Sequence, residues 1–297
     1  MKIKIPYISP YNLLLSFKGF GINYGDSIHF IENNVLIRAI SYNNNSFLCC
    51  IKQKSKYLEV SFLNTRPDKE QIKQLSKQIQ KLTNTLYNLK EFYNESKKDS
   101  ILSNLISKLN GLKPPVSPSL FEAMIIAVTE QQLNISVAIS IRSRLIHKFG
   151  DKILYNNKYY YTFPNSDKIS RLSINDIHSM GFSKKKAEYM IEIAKKFQEL
   201  KINNEELKQK DTEKCIKYLT NLRGFGRWSS EYVLFRGLNR SEVSLLSDAG
   251  VKKAICHYYF NDNQVKETDL IQLSETWGKH KGIAAFYLLF AYQNKGY

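Results

Sequence analysis

The chain has 297 residues, and its 44 Lys+Arg against 27 Asp+Glu leave a formal charge of +17. That balance suits a polyanion such as nucleic acid or an anionic membrane surface, with a lysine-rich solvated surface as the plainer alternative. The four cysteines (Cys49, Cys50, Cys215, Cys256) form no CxxC pair, which excludes zinc and iron–sulfur spacings and points to a reducing, intracellular compartment. No signal-peptide pattern opens the chain, because MKIKIPYISP meets Pro6 and Pro10 before an apolar run develops. The richest apolar stretch is interrupted by Glu122, Glu130, Gln131, Gln132 and Asn134, so no membrane span is expected.

Short β-branched and aromatic runs come first: SIHFI (27–31), NVLIRAISY (34–42), SFLCCIK (46–52) and YLEVSFL (57–63). Asparagine-rich turns and the lysine-rich QKSK separate them, the signature of antiparallel strands, and PYNLLLSF ahead of them reads as a helix. From Pro67 the period becomes helical, with Ile72, Leu75, Ile79 and Leu82 at steps of three or four in a stretch that runs to Tyr93. The paired prolines of NGLKPPVSPS (110–119) break the helical pattern. Helices are then predicted at 121–128, 135–149, 173–180, 184–200, 212–222, 228–237, 249–260 and 282–292. The fold class is a small α+β domain with an antiparallel sheet (1–85) followed by a mostly α body (86–297).

Within that body, LRGFGR (222–227) places two glycines between helical segments. Glycine permits a tight hairpin and close approach to the backbone, and the helix that follows presents unpaired N–H groups, an anion site. A DNA phosphate held there is positioned without any base being read; the same spacing also serves plain helix–helix corners. Trp228 and Tyr232 stand four apart, hence on one helix face, as an aromatic wall or as packing. Asp248, before AGVKKAICHYYF, reads on position alone as a helix N-cap. Lys184, Lys185 and Lys186 read as phosphate contacts or a solvated helix start. The five histidines are scattered, and none is assigned to a metal.

LRGFGRWSSEYVLFRGLNRSEVSLLSDAGVKKAI resembles the helix-hairpin-helix, Gly/Pro-rich loop, aspartate signature of the DNA glycosylase superfamily. It looks most like the 3-methyladenine DNA glycosylase II family, and FEAMIIAVTEQQLNISVA, YTFPNSDKISRLSINDIHSMGFSKKKAEYMIEIA and the closing helix extend the likeness over nearly the whole chain. The resemblance implies an all-α body of two lobes with a cleft between them. It implies an enzyme that rotates a damaged nucleotide out of duplex DNA and hydrolyses its N-glycosidic bond, initiating base excision repair of alkylated or deaminated purines. Asp248 matches the catalytic aspartate, facing a sugar of oxocarbenium character. Bifunctional relatives carry a lysine where this chain has Trp228, so a monofunctional enzyme using water follows. Trp228, Tyr232, Tyr287 and Phe290 are the expected base pocket, with cation–π attraction for a charged purine.

Leu222, Arg223, Gly224, Phe225, Gly226 and Arg227 are the expected phosphate grip, and Gln132, or Leu133 if the register slips by one, is the expected wedge filling the vacated stack. No cofactor and no iron–sulfur cluster are implied, and a structural monovalent ion at the hairpin is left open. The expected partner is damaged double-stranded DNA, bound by a monomer in a cytoplasmic, nucleoid-associated setting. A bifunctional oxidised-purine glycosylase/lyase and a non-catalytic DNA-binding protein are the rivals. Two departures from the family pattern stand out: Ser229 and Ser230 replace the usual threonine and alanine, and the segment before Asp248 lacks Gly/Pro richness.

Overall fold

The computed structural model describes residues 1–18, 27–199, 202 and 204–294. Strands β1 (Lys2–Pro6), β2 (Phe30–Glu32), β3 (Val35–Tyr42), β4 (Asn45–Gln53) and β5 (Tyr57–Phe62) form an antiparallel sheet in the order β1-β5-β4-β3-β2, with α1 (Leu13–Lys18) between β1 and β2. Two hairpins close on asparagine pairs: Asn33–Asn34 and Asn43–Asn44 take φ values between 46° and 62°. A two-residue type I′ turn needs that left-handed backbone at both central positions, and asparagine tolerates it. Strand β1 was not foreseen, because KIKIP is short and ends in proline. It pairs at the sheet edge, where Pro6 opposite Tyr57 loses no ladder bond that matters.

Helix α2 (Lys69–Leu82) starts on a reciprocal capping box between Asp68 and Gln71 and lays Leu75, Ile79 and Leu82 on the sheet beside Leu13 and Phe17. The helical period expected to run to Tyr93 stops at Leu82. There the Thr83 hydroxyl turns back to the Ile79 carbonyl (2.6 Å), and Asn84 takes φ of +50° while donating its amide to the Pro114 carbonyl (3.0 Å). Such side-chain bonds compete with the helix ladder and end it.

The body comprises α3 (Lys90–Glu95), α4 (Ser100–Lys108), α5 (Leu120–Glu130), α6 (Ile135–Phe149), β6 (Lys152–Tyr155), β7 (Lys158–Tyr161), α7 (Ser166–Ser170), α8 (Ile174–His178), α9 (Lys184–Gln198), α10 (Asn204–Gln209), α11 (Thr212–Thr220), α12 (Arg227–Leu238), α13 (Ala249–Phe260), α14 (Glu267–Glu275) and α15 (Lys281–Gln293). The β6–β7 hairpin is an addition to the expected helices. It turns on Asn156–Asn157, again left-handed, and packs Ile153 and Tyr160 against Ile37, Ala39 and Leu48 on the sheet's second face. One core joins α5, α6, α9 and α11 through Met124, Leu145, Met190 and Leu219; another joins α3, α4, α13 and α15 through Phe92, Leu105, Ile255 and Phe286. These are the two lobes, and α12 serves both, giving Val233 and Leu234 to the first and Phe235 to the second. Among the described residues no helix is long and apolar enough to cross a membrane.

Sheet and body are tied by a buried ion pair in which Arg38 Nη2, on β3, lies 2.8 Å from both oxygens of Glu122 on α5. Arg38→Met strands the Glu122 charge in the interior, and denaturant titration should show a loss of about 3–5 kcal/mol. Lys113 is a second buried cation, donating to the Ile8 and Thr85 carbonyls at 2.8 and 3.1 Å. Burial pushes its ammonium down from 10.5 to about 7. The unfolded chain therefore holds the extra proton between those values, and folding stability rises with pH across that window. Relative to Lys113→Met, the native chain should gain up to about 1.4 kcal/mol per pH unit from pH 7 toward pH 10; parallel curves would refute this.

Candidate active site

The turn from α11 into α12 is built around Leu222 and Phe225, both buried in the first core. Gly224 takes φ of +86°, and a Cβ there would stand 2.2 Å from the Tyr189 ring of α9, so glycine is required twice over. Gly226 is different. Its φ of −112° suits any residue, and a Cβ would meet no protein atom within 4 Å. It caps α12 without a side-chain bond, so the space a methyl group would fill is the approach to the helix's unpaired N–H groups. The flanking arginines already have partners: Arg223 pairs with Glu188 (2.8 Å), and Arg227 pairs with Glu213 (2.8 Å) and Glu231 (2.9 Å).

A second loop, 131–134 between α5 and α6, is pinned to this hairpin. Gln131 Nε2 donates to the Gly224 carbonyl (2.7 Å) and to Ser229 Oγ (2.6 Å), which gives the unusual serine at 229 a use. Lys186 Nζ donates to the carbonyls of Thr129 (3.1 Å) and Gln131 (2.6 Å). This corrects the reading of Lys186 as a phosphate contact or solvated residue: it fastens the loop to α9, and burial lowers its pKa. Lys184 and Lys185 stay exposed. Beyond the pinned Gln131, Gln132 is exposed with φ of +53°, and Leu133 is 40% exposed. The two candidate wedge residues thus project from a braced turn.

Asp248 is the N-cap of α13. Its Oδ1 accepts the N–H groups of Gly250 (2.7 Å) and Val251 (3.0 Å), and its Oδ2 accepts Trp228 Nε1–H at 2.7 Å. Among the described residues it has no ion-pair partner. The N-cap reading of Asp248 holds, and its capping bonds fix the carboxylate while leaving it half-buried. The preceding segment supplies the special backbone without glycine: Leu245 takes φ of +56°. Ser247 Oγ donates to Glu231, a buried carboxylate one turn along α12 from Arg227 and already paired with it.

Trp228, Asp248 and Glu231 open onto a cavity of about 310 Å³ where α5, α12, α13 and α15 meet residues of the N-terminal part such as His29 and Leu82. The structure brings Trp228, Tyr232, Asp248 and Phe290 together on its wall, with Leu133 at the rim. The Trp228 and Tyr232 rings lie 5.6 Å apart at 33°. Tyr287 does not line it, and its assignment to the base pocket is corrected: it is fully buried, with its hydroxyl donating to the Leu112 carbonyl (2.8 Å) and 2.9 Å from the Tyr93 hydroxyl. Sequence reading missed the charged part of the lining, namely Glu122, Glu130, Glu231, Arg142 and Arg236. Glu130 accepts from Arg142 at 2.7 Å. Burial pushes the Tyr232 phenol up and the Arg236 guanidinium down to about 10, so at neutral pH the first stays protonated and the second charged.

Residues 125–279 match the family described as HhH-GPD superfamily base excision DNA repair protein. A DNA-3-methyladenine glycosylase of Bacillus subtilis is 30% identical over 261 residues, covering 87% of this chain and 86% of the relative. DNA-3-methyladenine glycosylase 2 of Escherichia coli is 25% identical over 147 residues, 48% of this chain and 50% of that protein. Among solved structures, the 3-methyladenine DNA-glycosylase from Archaeoglobus fulgidus superposes with a TM-score of 0.83 over 99% of each chain at 24% identity. A Schizosaccharomyces pombe 3-methyladenine DNA glycosylase in complex with abasic DNA superposes with a TM-score of 0.59 over 70% of this chain and 98% of that one, also at 24% identity.

The two hairpin glycines should separate in a stability assay. Gly224→Ala meets both a left-handed backbone and the Tyr189 ring, and should cost about 2 kcal/mol or more. Gly226→Ala, at an open extended position, should cost less than about 1 kcal/mol. Equal losses in thermal or denaturant unfolding would contradict this division.

Proposed function

The chain belongs to the HhH-GPD superfamily of base excision DNA repair proteins and is a DNA glycosylase of the 3-methyladenine type; from that premise we propose a monofunctional hydrolase in which Asp248 stabilises the sugar from which the base departs. The observation that carries the proposal is a half-buried aspartate with no ion-pair partner among the described residues, bonded to Trp228 on the wall of a base-sized cavity. The N–H groups at the start of α12 hold a DNA phosphate over Gly226, and the damaged nucleotide rotates into the cavity. The Gln132–Leu133 turn fills the space it leaves.

An alkylated purine carries positive charge, and the cavity receives it with the faces of Trp228 and Tyr232 and with the carboxylate of Asp248, while the lining glutamates Glu122, Glu130 and Glu231 are paired with Arg38, Arg142 and Arg227. As the N-glycosidic bond breaks, its electron pair goes to the base, which leaves neutral, and the sugar takes on oxocarbenium character. The Asp248 carboxylate stabilises that charge, with Trp228 holding Oδ2 in place. Water adds at C1′ and gives up its proton to solvent. No lysine is among the lining residues, which supports hydrolysis over Schiff-base chemistry. We further assign residues 1–85 as a separate N-terminal domain and the working species as an intracellular monomer on duplex DNA.

The test is direct. Duplex containing 3-methyladenine should yield alkali-labile abasic sites, and Asp248→Asn should lower the single-turnover rate by about 10²–10³-fold or more with duplex affinity little changed. Gly226→Ala should do the reverse, weakening affinity more than the bound-state rate. A borohydride-trapped adduct would overturn the monofunctional mechanism, and Asp248→Asn acting at the native rate would overturn the role of this aspartate.

A further inference from the structure

Away from the cavity, Glu91 and Glu95 stand one turn apart on α3, and the chain returns to them at the 3-10 turn Gly278–His280 that leads into α15. One oxygen of each carboxylate and one ring nitrogen of His280 lie within 4.8 Å of one another. The imidazole is 5% exposed and rests on the Phe92 ring at 5.7 Å. Among the described residues neither of its nitrogens has a hydrogen-bond partner. Its Nε2 faces Glu95 Oε2 at 3.6 Å, which is too long for a hydrogen bond. A buried imidazole with both nitrogens unmatched is costly unless something else binds it.

The separation itself is informative. Two ligands of a tetrahedral ion, each about 2.0–2.2 Å from it, stand roughly 3.4 Å apart. We propose that Glu91, Glu95 and His280 form a binding site for a divalent transition ion of the zinc class. A mixed imidazole and carboxylate set suits such an ion better than the all-oxygen shells of magnesium or calcium, and the exposed side formed by the two glutamates leaves a position for water. Lys279 already pairs with Glu91 through Oε1, leaving that carboxylate's other oxygen for the ion. The ion would join α3 to the start of α15, the helix that brings Phe286, Leu289 and Phe290 to the cavity. Its role is to hold that wall in place, with no part in the chemistry.

The experiment uses the full chain after chelator treatment. Cobalt(II) chloride, followed by absorption, should bind one equivalent per chain without thiolate charge-transfer bands, and zinc chloride should raise the unfolding temperature. Glu95→Gln, an exposed isosteric change, and His280→Gln should each weaken zinc affinity tenfold or more, and metal-free Glu95→Gln should keep the glycosylase rate of the metal-free native chain. Should His280→Gln fail to fold, Glu95→Gln decides alone. Absence of stoichiometric binding, undiminished affinity in Glu95→Gln, or thiolate bands reporting an ion on Cys50 or Cys256 would overturn the site.

Discussion

The indole N–H of Trp228 bonded to Asp248 is the interaction on which the site turns. It joins the first turn of α12 to the cap of α13, so the carboxylate is placed by two helix starts at once. Each start has its own anchor. The hairpin sets α12 through the positive φ of Gly224 and the plugged side chains Leu222 and Phe225; α13 begins where its first free N–H groups find Oδ1. Glu231 adds a strap one turn further along, accepting from Ser247 beside the aspartate and from Arg227 at the hairpin. A side chain fixed from so many directions has little freedom left to lose, and for the role proposed for Asp248 that is the preorganisation electrostatic stabilisation requires.

Charge is distributed on two scales. The whole chain is strongly cationic, yet the hairpin arginines are paired with glutamates, and of the acids lining the cavity Glu122, Glu130 and Glu231 are paired with arginines while Asp248 is bonded to Trp228. Long-range attraction toward a polyanion and short-range preference for a cationic base therefore come from different residues. The global excess of lysine speaks to encounter, and in the proposed reaction the aromatic wall and Asp248 speak to selection.

Much of this was legible in the sequence, and what was not has identifiable causes. The asparagine pairs marked the sheet's turns, because few residues accept two consecutive left-handed positions; the same signal at Asn156–Asn157 went unread between short strands. Asp248, Trp228, Tyr232 and Phe290 share the cavity wall. Tyr287 was misplaced because its helix is apolar nearly all round, so periodicity gives no inward face. Lys186 was misread because a run of three lysines looks solvated, while only the third reaches back to Thr129 and Gln131. Glu231 could have been suspected as a lone acid on a buried helix four residues after Arg227. The Glu91–Glu95–His280 grouping had no sequence signal, since the chain brings its members together only through the packing of α15 on the second core.

Helix α12 belongs to both cores at once, passing Val233 and Leu234 to one and Phe235 to the other. Lobes that share a spine in this way cannot swing apart like jaws without emptying packed interior, and close packing makes that expensive. Discrimination therefore falls to the visitor: a nucleotide must leave its stack and fit a mould that is already cast. Weakly paired or distorted positions in a duplex, which yield most easily, have the advantage before any side chain has touched them.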